Sequence, residues 1–206
     1  TWTASTDPGG VISICNNTIR FGGFRGKHAI VIGASTTGLA AAAAAARHFD
    51  RVTIIDRDTL PDQPVWRKGV PQSRHGHILL RGGQNVFNHY FPGLTVDMLA
   101  RGSVDVDMAN DLCWHHSGGW KKRFDSGFTM QCQTKGFLEH YVRERLTQVP
   151  NVSFLQNTKF DGYVCHGKQI TGVRFSEGNT LDADLIIDCS GRSSETPAHL
   201  TALGFG

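Results

Sequence analysis

One stretch constrains this chain more than any other: His28 to Asp56, HAIVIGASTTGLAAAAAAARHFDRVTIID. Ala29 to Ile32 is a short apolar run rich in β-branched residues, the pattern of a strand buried on both faces of a parallel sheet. Gly33, Ser35 and Gly38 then stand at the three small positions of a G-x-G-x-x-G turn. Gly33 permits a sharp exit from the strand. Ser35 falls where the backbone must come close to a pyrophosphate, and its hydroxyl is placed to cap the helix that follows. Gly38 lets that helix lie against the strand. Ala40 to Ala46 continues the close packing with methyl groups and high helix propensity. Ala34 and Thr37 complete the turn, where free N–H groups and the positive end of the helix dipole favour an anion.

Val52 to Ile55 forms a second strand, and Asp56 ends it about 20 positions after Gly33, the spacing at which an acid accepts hydrogen bonds from ribose hydroxyls. Strand, glycine turn, small-residue helix, strand and acid in this order are the sequence of a dinucleotide-binding βαβ unit. A carboxylate at Asp56 repels a 2′-phosphate, so FAD or NAD is expected over NADP. The competing reading is an ordinary buried βαβ unit with a solvated Asp, and the order of the elements weighs against it.

Hydrophobic residues at 39% and charged residues at 19% of 206 describe a globular chain with ample core. The net charge of +3 is small and the basic residues are dispersed, so no nucleic-acid partner is indicated. Cys15, Cys113, Cys132, Cys165 and Cys189 are odd in number and scattered, without a C-x-x-C. They read as reduced thiols of a cytoplasmic protein. No apolar run is long enough for a membrane span, and the first residues lack a signal-peptide pattern.

Residues Thr1 to Gly26 read as an irregular leader, with an edge strand conceivable at Val11 to Ile14. After Asp56, three prolines (Pro61, Pro64, Pro71) forbid long regular structure up to Gln72. That loop concentrates Arg67, Lys68, Gln72, Arg74, His75 and His77, and one reading is that Arg67 and its neighbours meet an anionic cofactor. For His75 and His77, satisfied loop histidines and cofactor contacts are equally compatible with the sequence. A metal site is not indicated, because no Cys/Asp cluster or H-E-x-x-H completes a ligand set. Ile78 to Tyr90 has helical spacing weakened by Gly82-Gly83. Asp97 to Arg123 is illegible, and Trp114 and Trp120 there suit either a pocket wall or plain packing. Thr134 to Leu146 is a helix with a core-facing stripe, capped by Thr134. Asn151 to Asp188 reads as strands: NVSFL first, then a hairpin around His166-Gly167-Lys168, then Leu181 to Ile187. Asp188 ends that last strand at what would be the cofactor crevice, and Gly191 turns the chain.

VIGASTTGLAAA, VTIIDRDTLPD, RKGVPQSRHGHILLRG and FPGL, in this order, resemble FAD-dependent monooxygenases of the aromatic hydroxylase type, in particular a bacterial branch with a G-V-P-Q-x-x-H-x-H loop. That branch often has Ser at the middle glycine position, as at Ser35. The resemblance implies that Arg67 lies near the FAD pyrophosphate, and it brings Arg57, Gln72 and His77 into the cofactor-binding set. It places Lys135 where the family's S-R-x-x-L-E has an arginine facing the flavin; charge is kept but the bidentate fork is lost. ADLIIDCSGRSS resembles the family's second fingerprint, with Asp188, Gly191, Arg192 and Ser194 matching. Many relatives carry an acid where Ser190 stands, so no acid role passes to that position.

The expectation is therefore an α/β chain: a Rossmann-like FAD-binding domain over residues 27–206 with an antiparallel β insertion, following the leader over 1–26. By resemblance it covers the first half of an enzyme in which NAD(P)H reduces FAD and O2 supplies one oxygen atom to a small organic substrate. Chemistry would rest with the flavin, so no side-chain nucleophile or general base is named. The rivals are a flavin-dependent reductase acting on a prenyl or lipid chain, a halogenase, and a non-catalytic nucleotide-binding fragment. A plain NAD-dependent dehydrogenase leaves the GVPQSRHGH loop and the second fingerprint without a role.

Overall fold

The computed structural model describes residues 11–14, 17–20, 26–67, 69–70, 72 and 75–205. In chain order the elements are β1 (Val11–Ile14), β2 (Asn17–Arg20), β3 (Gly26–Ile32), α1 (Thr36–Ala45), β4 (Phe49–Ile55), β5 (Gly76–Leu79), α2 (Arg81–Tyr90) and α3 (Leu94–Ala100). There follow β6 (Val104–Asp107), β7 (His115–His116), β8 (Gly119–Trp120), β9 (Thr129–Thr134), α4 (Lys135–Leu146) and β10 (Val152–Leu155). The last elements are β11 (Phe160–His166), β12 (Gln169–Phe175), β13 (Thr180–Asp182), β14 (Leu185–Asp188) and α5 (Thr196–Ala202).

The centre is a parallel sheet in the order β10-β4-β3-β14. Alternation along β3 divides the core. Ala29 and Val31 face a layer containing Leu39, Ala42, Leu138 and Val142 of α1 and α4, whereas Ile30 and Ile32 face Tyr163 and Val173 of the antiparallel sheet β11-β12-β13. Both faces of β3 are thus covered, which is why its sequence is continuously apolar. This is a Rossmann-like α/β fold with an antiparallel insertion. A second antiparallel sheet, β5-β9-β6, lies beside α2 and α3. Burial holds the His28 imidazole below its ordinary pKa, opposed by its bond to the Asp182 carbonyl. The Asp184 carboxylate accepts from the Lys27 and His28 N–H groups at 2.7 and 2.8 Å, so the end of the insertion is stitched to β3.

Several expectations from sequence need correction. The strand conceivable at Val11 to Ile14 is present as β1, but it pairs with β2 in an antiparallel hairpin, Val11 opposite Arg20, that forms its own sheet among the described residues and not an edge of the parallel one. The β-branched residues on either side of the Asn pair outweigh the nearby glycines. Residues 1–10, 15–16 and 21–25 lie outside the described residues, as do Lys68 and Arg74. The helix expected from Ile78 begins only at Arg81, because Gly76 to Leu79 is drawn into pairing with β9. The first strand of the Asn151 to Asp188 run, NVSFL, joins the parallel sheet beside β4. The hairpin at His166 to Lys168 and the Thr134 cap are as read, with Thr134 Oγ1 accepting from Phe137 N at 3.1 Å. Ser35 occupies the N-cap position of α1, yet its side chain makes no capping bond. Trp114 and Trp120 are exposed, so neither is plain core packing.

The seat of α1 is steric. Gly33 has φ +99°, and a Cβ built on Gly38 would lie 1.8 Å from the Gly33 carbonyl oxygen. Gly38→Ala is therefore expected to cost about 3 kcal/mol or to abolish folding, as read by urea unfolding. An unchanged unfolding midpoint would refute the contact.

Candidate functional site

The carboxyl ends of β3, β4 and β14 open together into a cleft of about 900 Å³. That is within the range of cofactor sites, about 300–1,000 Å³. Gly33, Ser35 and Thr37 line it from the β3–α1 turn, Asp56 and Arg57 from the end of β4, and Arg67 and Gln72 from the following loop. Lys135 at the start of α4 and Asp188, Gly191 and Arg192 after β14 complete the wall. Three of the expected residues stand off the surface. Ala34 is buried beneath the turn, Gly38 is packed against Gly33, and His77 sits on β5 opposite Gln133. Burial, and then the charge of Lys135, push the His77 pKa down, against an opposing pull from Glu139.

The first N–H groups of a helix lack intrahelical partners. At α1 a distant acid, Glu139, serves one of them, and a second, Asp56, holds the turn just before the N-cap. Asp56 Oδ2 accepts from Ala34 N at 2.6 Å, and Glu139 Oε1 accepts from Thr36 N at 3.1 Å and from its hydroxyl at 3.4 Å. α1 carries no acid in its own first turn, so these carboxylates also complement its dipole. Asp56 Oδ1 accepts from Asp58 N at 2.9 Å.

Arg67 lies among these acids, its side chain 7% exposed. Its Nη1 reaches Asp56 Oδ1 and Oδ2 at 3.1 and 3.2 Å and Asp58 Oδ2 at 2.9 Å, while Nε reaches Glu139 Oε2 at 3.5 Å. Burial opposes the cation, but Asp56, Glu139 and Asp58 outweigh it and hold the Arg67 pKa above the ordinary arginine value. Asp58 and Glu139 were missed as functional candidates. Their signals were present: Asp58 follows two residues after Asp56, and Glu139 fills the acidic position of S-R-x-x-L-E. Lys135 Nζ donates to Gln72 Oε1 at 3.3 Å and lies 3.9 Å from Glu139.

Across the cleft Asp188 organises its own loop. It accepts from Ser190 N at 2.8 Å, from Ser190 Oγ at 2.6 Å, and from the hydroxyls of Ser194 and Thr196. Tyr163 donates to the Thr196 hydroxyl at 2.7 Å, since that hydroxyl's proton is directed at Asp188. Burial works against the Asp188 charge, and the bonds from Ser190, Ser194 and Thr196 outweigh it, so its pKa lies below the ordinary aspartate value. Four acceptor positions are used, which makes this carboxylate the frame of the loop presenting Gly191 and Arg192.

Residues 29–194 match the family model described as FAD dependent oxidoreductase. Protein Rv3254 of Mycobacterium tuberculosis is 33% identical over 192 residues, covering 86% of this chain and 40% of that protein. PqsL of Pseudomonas aeruginosa, described as a probable FAD-dependent monooxygenase, superposes with a TM-score of 0.66 at 18% identity, over 86% of this chain and 46% of PqsL. A mutant of 2-methyl-3-hydroxypyridine-5-carboxylic acid oxygenase gives 0.57 at 21% identity, over 78% and 38%. At these identities the two structures establish the fold. The chain spans less than half the length of each of these three relatives.

The Asp188 network has a pH signature. Its folded pKa is depressed, so its contribution is present above the unfolded aspartate range and is lost as pH falls through the folded value. Asp188→Ala is expected to lower stability by about 1–2 kcal/mol near neutral pH, with the deficit shrinking in strong acid, as measured by urea unfolding at both pH values. A deficit of equal size in acid would contradict the assignment.

Proposed function

Because the chain belongs to the FAD dependent oxidoreductase family, we propose that its cleft holds FAD and that it is the cofactor-binding part of a monooxygenase acting on a small organic substrate with NAD(P)H and O2. The observation that carries this reading is Asp56. It is buried at the end of β4, faces the cleft beside the α1 N-terminus, and accepts from three donors: Ala34 N, Asp58 N and Arg67. Nη1 of Arg67 has two protons for three acceptors, Asp56 Oδ1 and Oδ2 and Asp58 Oδ2, so its hold on Asp56 is shared, and a ribose hydroxyl takes over one of those two positions on the carboxylate.

The donor set fits the group. The turn from Gly33 to Thr37 brings backbone close to a pyrophosphate, and the exposed cations Arg57 and Arg192 flank the same cleft. Gln72, Lys135 and the Asp188-framed loop close its sides. FAD held here would supply the redox chemistry of hydride acceptance and O2 activation. The side chains bind, orient and shield it. The oxygenase names of the two similar structures and the GVPQSRHGH loop support monooxygenation over reduction or halogenation of a substrate. No helix of the described residues is long and apolar enough to cross a membrane. The free thiols of Cys113, Cys132, Cys165 and Cys189 suit the cytoplasm.

The test is flavin titration of the purified chain, read by visible absorbance and quenching. Saturable FAD binding is expected, and Asp56→Ala is expected to weaken it by about 1–3 kcal/mol. An Asp56→Ala variant with unchanged flavin affinity would refute the ribose assignment. FAD binding without NAD(P)H oxidation would restrict this chain to holding the cofactor.

A further inference from the structure

We propose that Arg67 serves the cofactor indirectly: it is the buried counter-ion that fixes Asp56, Asp58 and Glu139 so that Asp56 receives the ribose. It is a positioning residue for the sugar and not a clamp on the pyrophosphate. The proposal rests on the FAD reading above.

Three observations lead here. First, two of the three guanidinium nitrogens are turned to acids. Nη1 is directed at both Asp56 oxygens and at Asp58, and Nε at Glu139. Second, each of these acids also accepts a backbone N–H from a different part of the chain. Asp56 takes Ala34 N, Asp58 takes Gly69 N at 2.8 Å, and Glu139 takes Thr36 N. One cation therefore ties together the β3–α1 turn, the loop after β4 and helix α4, which are the segments that set the ribose and pyrophosphate positions. Third, the substitutes are poorly placed. Lys135 Nζ is 3.9 Å from Glu139, and the buried Arg143 gives its guanidinium to the Pro61 carbonyl. Without Arg67, three carboxylates would crowd a partly desolvated site, and like charges so placed repel. Arg57 and Arg192, exposed on the cleft and in no ion pair among the described residues, are the cations positioned for the pyrophosphate.

The experiment compares ADP, which carries a pyrophosphate, with adenosine, which carries only the ribose and base. Each competes with FAD on the full chain, followed by flavin fluorescence. Arg67→Met is expected to weaken both ligands by the same factor, about tenfold or more. The triple variant R67M/D58N/E139Q is expected to recover most of that loss for both, because the amide oxygens still accept the Gly69 and Thr36 N–H groups while two negative charges are gone. If Arg67→Met alone does not fold, the triple variant carries the comparison. Loss of ADP affinity with adenosine binding intact, in either variant, would overturn the proposal and make Arg67 a direct phosphate ligand. A parent chain that binds neither FAD nor the two competitors would overturn the FAD reading itself, before any variant is compared.

Discussion

Helix α1 rests on β3 with no room for a side chain at Gly38, and the rest of the cleft depends on that contact. The contact fixes how far the first turn of α1 stands from the ends of the strands. Once it is fixed, the Ala34 and Thr36 N–H groups lie within reach of Asp56 and Glu139, which come from β4 and α4. The helix therefore does not cap itself. Its start is held by acids from two other elements, so the geometry of the turn and the placement of the acids are one problem.

Those acids bring a second constraint. Asp56 and Glu139 are both buried, and Asp58 joins them through the Arg67 guanidinium. Burying charge is costly unless it is paired and hydrogen-bonded, and a well-packed apolar cluster would serve stability as well or better. The cluster makes sense where one of its carboxylates opens on a cleft, as Asp56 does. Asp188, on the opposite wall, shows the contrasting arrangement: its bonds are all spent within its own loop, and it acts on the cleft only through the backbone it holds.

The legible parts of the sequence were those in which local pattern and tertiary role agree. The βαβ unit could be read because the apolar strands, the small-residue helix and the terminal Asp56 each keep their tertiary role, and α4 because Leu138, Val142 and Leu146 of its apolar stripe lie on its buried face. Strand β9 could not be read. Its sequence, TMQCQT, is polar, yet Gln131 is fully buried, donating to the Thr95 carbonyl at 2.7 Å and to Ser103 Oγ at 2.9 Å. Helix α3 was hidden because it is short and follows a left-handed Gly93. Strand β5 was hidden because the pairing partner that overrides its helical spacing lies at β9, far along the chain. Of the site, the residues that touch the cleft through motif positions were found. Those that act through another residue, Asp58 and Glu139, were not, because their role exists only after α4 has docked.

The order of the central sheet also sets an order of assembly. β3 and β4 are joined by one short helix, but the outer strands arrive late: β14 aligns Leu185 with Ala29, and the stitch between Asp184 and His28 spans 156 positions. Contacts of such separation form slowly and only after the intervening chain is available. On the ribosome, then, the first fingerprint emerges long before the wall carrying Ser190 to Arg192 exists. The apolar Ile30 face of β3, later covered by the insertion, stays open during that interval. The waiting time for the antiparallel insertion is thus the period in which this chain is most exposed to misassociation, and the nascent segment up to Asp56 is the part a chaperone would have to shield.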